Sequence, residues 1–401
     1  MASTTAPIPG PSIIFQSESN IAATVVRERS GLPWYIWCAV LAITSATIGA
    51  HWDISWHESI GRDTFWTPAH MAIYMCGVLA GVAFGYIILA TTFSRKSPLV
   101  NASVHLWGFR APLGAFIASW GGIAMLTSAP FDNWWHGAYG LDVKIVSPPH
   151  ILLFIGVYGV ILGTLVLIAG HMNRSTGSNR QVARWLFLYS GGIMLVMAMI
   201  MLMEYTARVF LHTSLPYVLV CTLTPIVLAV GSRATRIRFA ATFIAAFYTL
   251  FVIALVLILP LFAAEPKLGP VYQNVTHFIP PEFPLLLVVP ALALDLLWSR
   301  IKNWNAWKTA AVSALLYVSL LLAVEWPFAT FLMSPASRNR FFGTMYFWYG
   351  LPPMSYMARN LFWRGDTIAE FWRGMALAVL LCTLAIRWGL SRGDWMRNIN
   401  R

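Results

Sequence analysis

Two stretches of the chain carry the same metal-capable side chains at nearly the same spacing. Residues 51–70 read HWDISWHESIGRDTFWTPAH and residues 131–150 read FDNWWHGAYGLDVKIVSPPH. The first holds Asp53-x3-His57-x12-His70 and the second Asp132-x3-His136-x13-His150. Both place a Trp directly before the first His (Trp56, Trp135), a Gly four residues after it (Gly61, Gly140) and an Asp two further on (Asp63, Asp142). An Asp and a His at i and i+4 lie on one helical face. Two imidazoles and a carboxylate, with room left for a fourth ligand or water, suit Cu, Zn or Fe(II). In an apolar setting a bound cation also relieves the cost of burying the carboxylate. A metal-free alternative stays open: Asp and His hydrogen-bond to each other, and Trp52, Trp56, Trp66, Trp134 and Trp135 belong to an aromatic belt. His51 is a candidate supplementary ligand. Asp63 and Asp142 suit bracing of the loop or hydrogen bonding to a ligand His.

These residues need two helices each. Thr67-Pro68-Ala69-His70 and Ser147-Pro148-Pro149-His150 read as N-cap, N1, N2 and N3 of a returning helix. Both histidines then sit in a first turn, level with the Asp/His pair on the outgoing helix. The expected unit is a helical hairpin with its ligands at the closed end.

Composition says where such hairpins reside. Of 401 residues, 58% are hydrophobic and only 10% charged, whereas a soluble domain is nearer half apolar and a quarter charged. A soluble enzyme, a disordered scaffold and a disulfide framework are excluded; the chain belongs in a bilayer. Ten segments are apolar over the roughly 20 residues that a crossing needs: about 34–52, 69–92, 111–130, 149–170, 185–204, 215–230, 239–263, 282–298, 308–325 and 372–389. The expected fold is an all-α polytopic membrane bundle of about ten transmembrane helices arranged as five hairpins. The chain divides into an N-terminal tail at 1–32, two metal-motif hairpins over 33–172, three further hairpins over 173–390 and a second tail at 391–401. No cleavable signal peptide is visible in the polar first thirty residues, which read as a cytoplasmic tail.

The charge of +12 is a topology signal. With the N-terminus inside, eighteen of the 27 basic residues fall on the inner side and eleven of the fifteen acids on the outer side. This predicts N-in, C-in, with the metal motifs on the periplasmic or extracytoplasmic face, and gives no support to a nucleic-acid partner. The four cysteines, Cys38, Cys76, Cys221 and Cys382, all lie within spans and read as small core residues. Five outgoing helices are expected to end on an acid (Asp53, Asp132, Glu204, Glu265, Glu325). In the last three hairpins the full triad is missing; Glu204 with His212 and Glu265 with His277 are at best remnants, for which structural roles are expected.

The string Asp53-x3-His57-x4-Arg62-Asp63-Thr64-x2-Thr67-Pro68-x-His70 resembles the metal-binding segment of the C subunit of particulate methane and ammonia monooxygenases. The second motif is similar to that family's neighbouring Asn-x3-His-x13-His site, with Asp132 in place of asparagine. The resemblance covers about residues 34–170, under half the chain, and the family subunit is shorter with fewer spans. It implies copper at Asp53, His57 and His70 and at Asp132, His136 and His150, with zinc or iron as the other candidates, and a more anionic second site than the family's. It implies a copper-dependent membrane monooxygenase, or a homologue of its metal subunit, oxidising a small apolar substrate with O2. The expected setting is a bacterial inner membrane. The expected partners are the lipid bilayer, partner subunits or further copies of the chain, and a quinol or protein that donates electrons. The competing function is metal transport or delivery without oxygenase chemistry. Against it, the inner halves of the spans offer few polar stepping-stones, with Asp295 the main exception. HExxH, desaturase-type His boxes, a Walker motif and a GxGxxG placed after a strand are absent from the sequence.

Overall fold

The computed structural model describes residues 31–61, 64–94, 97, 99–139, 147–207, 210–267, 275–301, 303–343 and 365–400. They form α1 (Trp34–Ser59), α2 (Pro68–Phe93), α3 (Leu113–Tyr139), α4 (Pro148–Arg174), α5 (Gly177–Thr206), α6 (Ser214–Thr235), α7 (Ala240–Ile258), α8 (Val288–Arg300), α9 (Ala306–Leu332) and α10 (Ile368–Asn398). A small hairpin of β1 (Val104–Leu106) and β2 (Phe109–Ala111) links α2 to α3 through left-handed Trp107 and Gly108. Nine of these helices are long and apolar enough to cross a membrane. The protein is an integral membrane helical bundle.

Each of the ten expected segments contains a helix, and the eighth departs most from expectation. A crossing was expected over 282–298, but α8 has 13 residues and begins only at Val288, which is about 20 Å of helix against about 30 Å of hydrocarbon. Pro280, Pro281 and Pro284 account for the late start, because proline removes an N–H donor and disfavours helix in the residue before it. Non-helical backbone at membrane depth must find partners within the protein. It does so here: Ile279 N–H donates to Ser59 Oγ at 2.8 Å, Leu285 N–H to the Tyr248 hydroxyl at 3.1 Å, and Leu286 N–H to the Glu325 carboxylate.

Neighbouring helices pack as hairpins in α1–α2 and α3–α4, while α6 makes its largest contact with α10. Two apolar clusters fill the interior: one is built from α1 to α4 with part of α5, the other from α5 to α10. The α3–α4 seam is backbone on backbone. A Cβ on Gly121 would lie 2.5 Å from Gly156 O, and one on Gly163 would lie 2.5 Å from Ala118 N. In α1–α2 the close approach is at Gly49, where a Cβ would lie 2.8 Å from Ile73 N. Glycine at these positions lets the helices of each hairpin meet backbone to backbone on the inner side of its triad.

Candidate metal centre

Asp132, His136 and His150 come together as one compact group at the closed end of the second hairpin, while in the first hairpin Asp53 stands near His57 and His70 without forming so compact a group. In the first, α1 supplies Asp53 and His57, and α2 brings His70 back beside them. Thr67 caps α2 as anticipated, its Oγ accepting from His70 N–H at 3.4 Å, and Pro68 occupies the first turn. Asp53 Oδ1 lies 3.2 Å from His70 Nε2 and Oδ2 lies 3.9 Å from His57 Nε2. In the second, α3 supplies Asp132 and His136 and α4 returns His150 after Ser147, Pro148 and Pro149. Asp132 Oδ2 stands 3.5 Å from His136 Nε2, and Oδ1 stands 3.5 Å from His150 Nε2. In each triad the carboxylate turns one oxygen to the i+4 histidine and the other to the returning one.

The triads differ in tightness. The donor atoms of Asp132, His136 and His150 all lie within 4.8 Å of one another, the one such group among the described residues. Donors held about 2.1 Å from a shared ion in a tetrahedral site stand about 3.4 Å apart. The two 3.5 Å separations at Asp132 therefore need little adjustment. In the first triad His57 stands further off and is 36% exposed, whereas His136 is 15% exposed. Asp53 and His70 thus form a close pair with His57 at its open edge.

The surroundings are aromatic. Tyr74 lies one turn beyond His70 with ring centroids 5.9 Å apart, followed by Phe65 and the exposed Trp66. Phe131, Trp134, Trp135 and Tyr139, on the same turns of α3 as Asp132 and His136, pack on one another, Trp135 and Tyr139 at 4.5 Å. Asp63 and Asp142 lie outside the described residues.

His51 does not join the first triad. Two residues before Asp53, it sits on the other side of α1, where its Nδ1 meets Thr47 O at 2.9 Å and its ring packs near Phe251. That same side of α1 carries a contact that spacing along the chain could not reveal. Ser55 Oγ–H donates to Ile279 O at 2.5 Å, Ser59 Oγ accepts from Ile279 N–H, and Lys267 N–H donates to Ile60 O at 2.9 Å. Trp52 and Trp56 close on Phe278. The segment ahead of α8 thus clamps the end of α1 that bears Asp53 and His57. The outer turns of α3 have more exposed residues. The one sequence signal for the clamp is the Pro280-Pro281-Glu282-Phe283-Pro284 run.

Four residues of the later hairpins, His212, His277, Glu325 and Asp295, have partners of their own. His212 Nε2 meets Thr330 Oγ at 2.9 Å and Trp326 O at 3.2 Å. His277 Nδ1 meets Thr276 Oγ at 2.9 Å. Glu325 is buried against the segment ahead of α8. Asp295 accepts from Ala241 N–H, Thr242 N–H and the Thr242 hydroxyl in the first turn of α7. Comparison with protein-family models, curated proteins and solved structures finds no match for this chain.

Proposed function

We propose that this protein is a copper-dependent membrane oxygenase, or the metal-binding subunit of one, that oxidises a small apolar substrate drawn from the bilayer. The observation that carries the reading is the compact Asp132–His136–His150 group, repeated in looser form by Asp53, His57 and His70. The resemblance of both motifs to the C subunits of methane and ammonia monooxygenases adds the choice of copper. Bound at these residues, copper would supply the capacity to bind and reduce O2.

The chain's own residues have separable tasks in this reading. Asp132 and Asp53 provide the negative charge that holds a cation. The i+4 histidines share a helical face with those carboxylates, so their distance is set by α1 and α3 alone. His70 and His150 are set by the first turns of α2 and α4. The aromatic rings exclude water and present an apolar surface to a hydrocarbon or a similarly small substrate. Overall the reaction converts RH, O2, two electrons and two protons into ROH and H2O, and the electrons come from a quinol or a partner protein. The bias of basic residues along the sequence supports an extracytoplasmic position for both triads.

Transport is the weaker reading, because Asp295, the polar residue best placed along an inner path, is already committed to the first turn of α7. Purified protein should carry one to two copper ions per chain by elemental analysis and consume O2 with a reductant and a short hydrocarbon or ammonia. Metal uptake into sealed vesicles with no O2 consumption would overturn the oxygenase reading and favour transport.

A further inference from the structure

A second kind of donor set lies deeper in the same two hairpins. The Cys76 sulfur of α2 and the Met125 sulfur of α3 touch at 3.9 Å. Cys76 is fully buried and Met125 is 5% exposed. The pair sits six residues inward from His70 and seven from Asp132, or about 9–10 Å along each helix. Room for the thioether comes from α4: a Cβ on Gly156 would lie 2.6 Å from Met125 Cγ. The neighbours of the pair are apolar residues of the first cluster.

We propose that Cys76 and Met125 form a separate site for a soft monovalent cation, copper(I), between α2 and α3. Thiolate and thioether are the ligands that select copper(I) over harder ions. Charge decides the valence. Cys–SH and Cu+ give Cys–S–Cu and a released proton, which leaves a neutral unit in the low-dielectric interior with no change of oxidation state. A divalent ion on the same two sulfurs would keep a net positive charge at membrane depth, which is costly. The distance also fits. Metal–sulfur bonds of about 2.3 Å put two sulfurs on opposite sides of an ion about 4.6 Å apart. The observed 3.9 Å must therefore open by about 0.7 Å to reach the separation set by those bonds. Methionine, with three rotatable bonds and a polarizable sulfur, takes up such a change readily. None of its donors belongs to a triad, so the site stands whether or not the triads hold copper.

The test uses the full chain purified in detergent and titrated anaerobically with copper(I) alone against a competing chelator, with silver(I) as a redox-inert check. Cys76→Ser and Met125→Leu should each weaken one equivalent of copper(I) by at least about tenfold and remove sulfur ligation from its X-ray absorption spectrum. Zinc(II) loading of the triads and the tryptophan fluorescence of the fold should stay as in the parent. Cys221→Ser, a change at another buried thiol, should leave that equivalent in place. Copper(I) held with nitrogen and oxygen ligands only, or held equally well by Cys76→Ser, would overturn the site. Loss in Cys76→Ser with none in Met125→Leu would overturn the two-sulfur assignment. Should Cys76→Ser fail to fold, the nearly isosteric Met125→Leu carries the test by itself. Loss of triad metal in histidine variants is read separately, by zinc(II), so failure of one assignment leaves the other measurable.

Discussion

The first four helices and the last six use their few acids in opposite ways. In α1–α4, Asp53 and Asp132 each divide two carboxylate oxygens between two imidazoles. In and around α5–α10, three acids reach across the bundle to backbone N–H groups at or just ahead of helix starts. Asp295 serves α7, Asp366 serves Ser214 at the start of α6, and Glu325 serves Leu286 just ahead of α8. Both uses give a carboxylate partners in an apolar surrounding, since helix N-termini carry partial positive charge and unpaired donors. They differ in what is left over. Asp295 places both of its oxygens on the start of α7, and Glu325 gives one oxygen to Leu286 N–H while its other is buried without a hydrogen bond among the described residues. A pair of imidazoles instead leaves an arrangement that a metal ion can enter. An acid in a membrane helix is thus a functional signal only once its partner is known.

Removing a ligand is the strongest way to break this comparison. His136→Ala should lower metal affinity at the second triad by more than about 100-fold, beyond the 10–100-fold usual for groups that only support a ligand. Competition with a chelator measures it. His57→Ala should cost less, because His57 stands at the exposed edge of a looser group; an equal loss would show that the triads are equivalent when loaded. Asp295→Ala should leave metal content unchanged and destabilise the bundle by about 1–3 kcal/mol, as expected when buried donors lose their acceptor. Unfolding in mixed detergent reads this out, and loss of metal would join the two regions in one function. The paired change Ser55→Ala with Ser59→Ala removes the clamp on α1. It should weaken the first triad by up to about tenfold and leave the second alone, so unchanged affinity at both would reduce the clamp to packing. The smallest effect should be at the caps. Thr67→Ala loses a hydrogen bond to the His70 turn and about 1 kcal/mol, while Ser147→Ala should change little because the Ser147 side chain makes no cap hydrogen bond.

The legible part of this molecule is the part settled within one turn or one hairpin. Asp-x3-His fixes a shared helical face, and Thr-Pro-x-His places the return histidine in a first turn. Those rules bring Asp132, His136 and His150 together and set Asp53 beside His57 and His70 without knowledge of the bundle. His51 was misjudged as a supplementary ligand because closeness along the chain is not closeness in space: two positions on a helix differ by about 200°. The eighth segment is a short one by hydropathy, and hydropathy does not register the proline run that delays α8 further. Asp295 was read as a stepping-stone, and Asp366 drew no structural reading. The partners of these acids lie 53 and 152 residues away in the chain. Such pairings depend on which helix ends meet in the folded bundle, and no local pattern encodes that.

The glycine seam between α3 and α4 works as a spacing gauge. Where Gly121 meets Gly156 and Gly163 meets Ala118, the distance between the helices is set by main-chain atoms, which have no rotamers with which to adjust. Asp132 lies eleven residues up α3 from Gly121, and His150 lies six residues before Gly156 on α4, so the gap between carboxylate and imidazole inherits that separation. One methyl group at Gly121 would wedge the hairpin open without touching a ligand. The calibration of the second triad therefore resides partly in a residue that has no side chain.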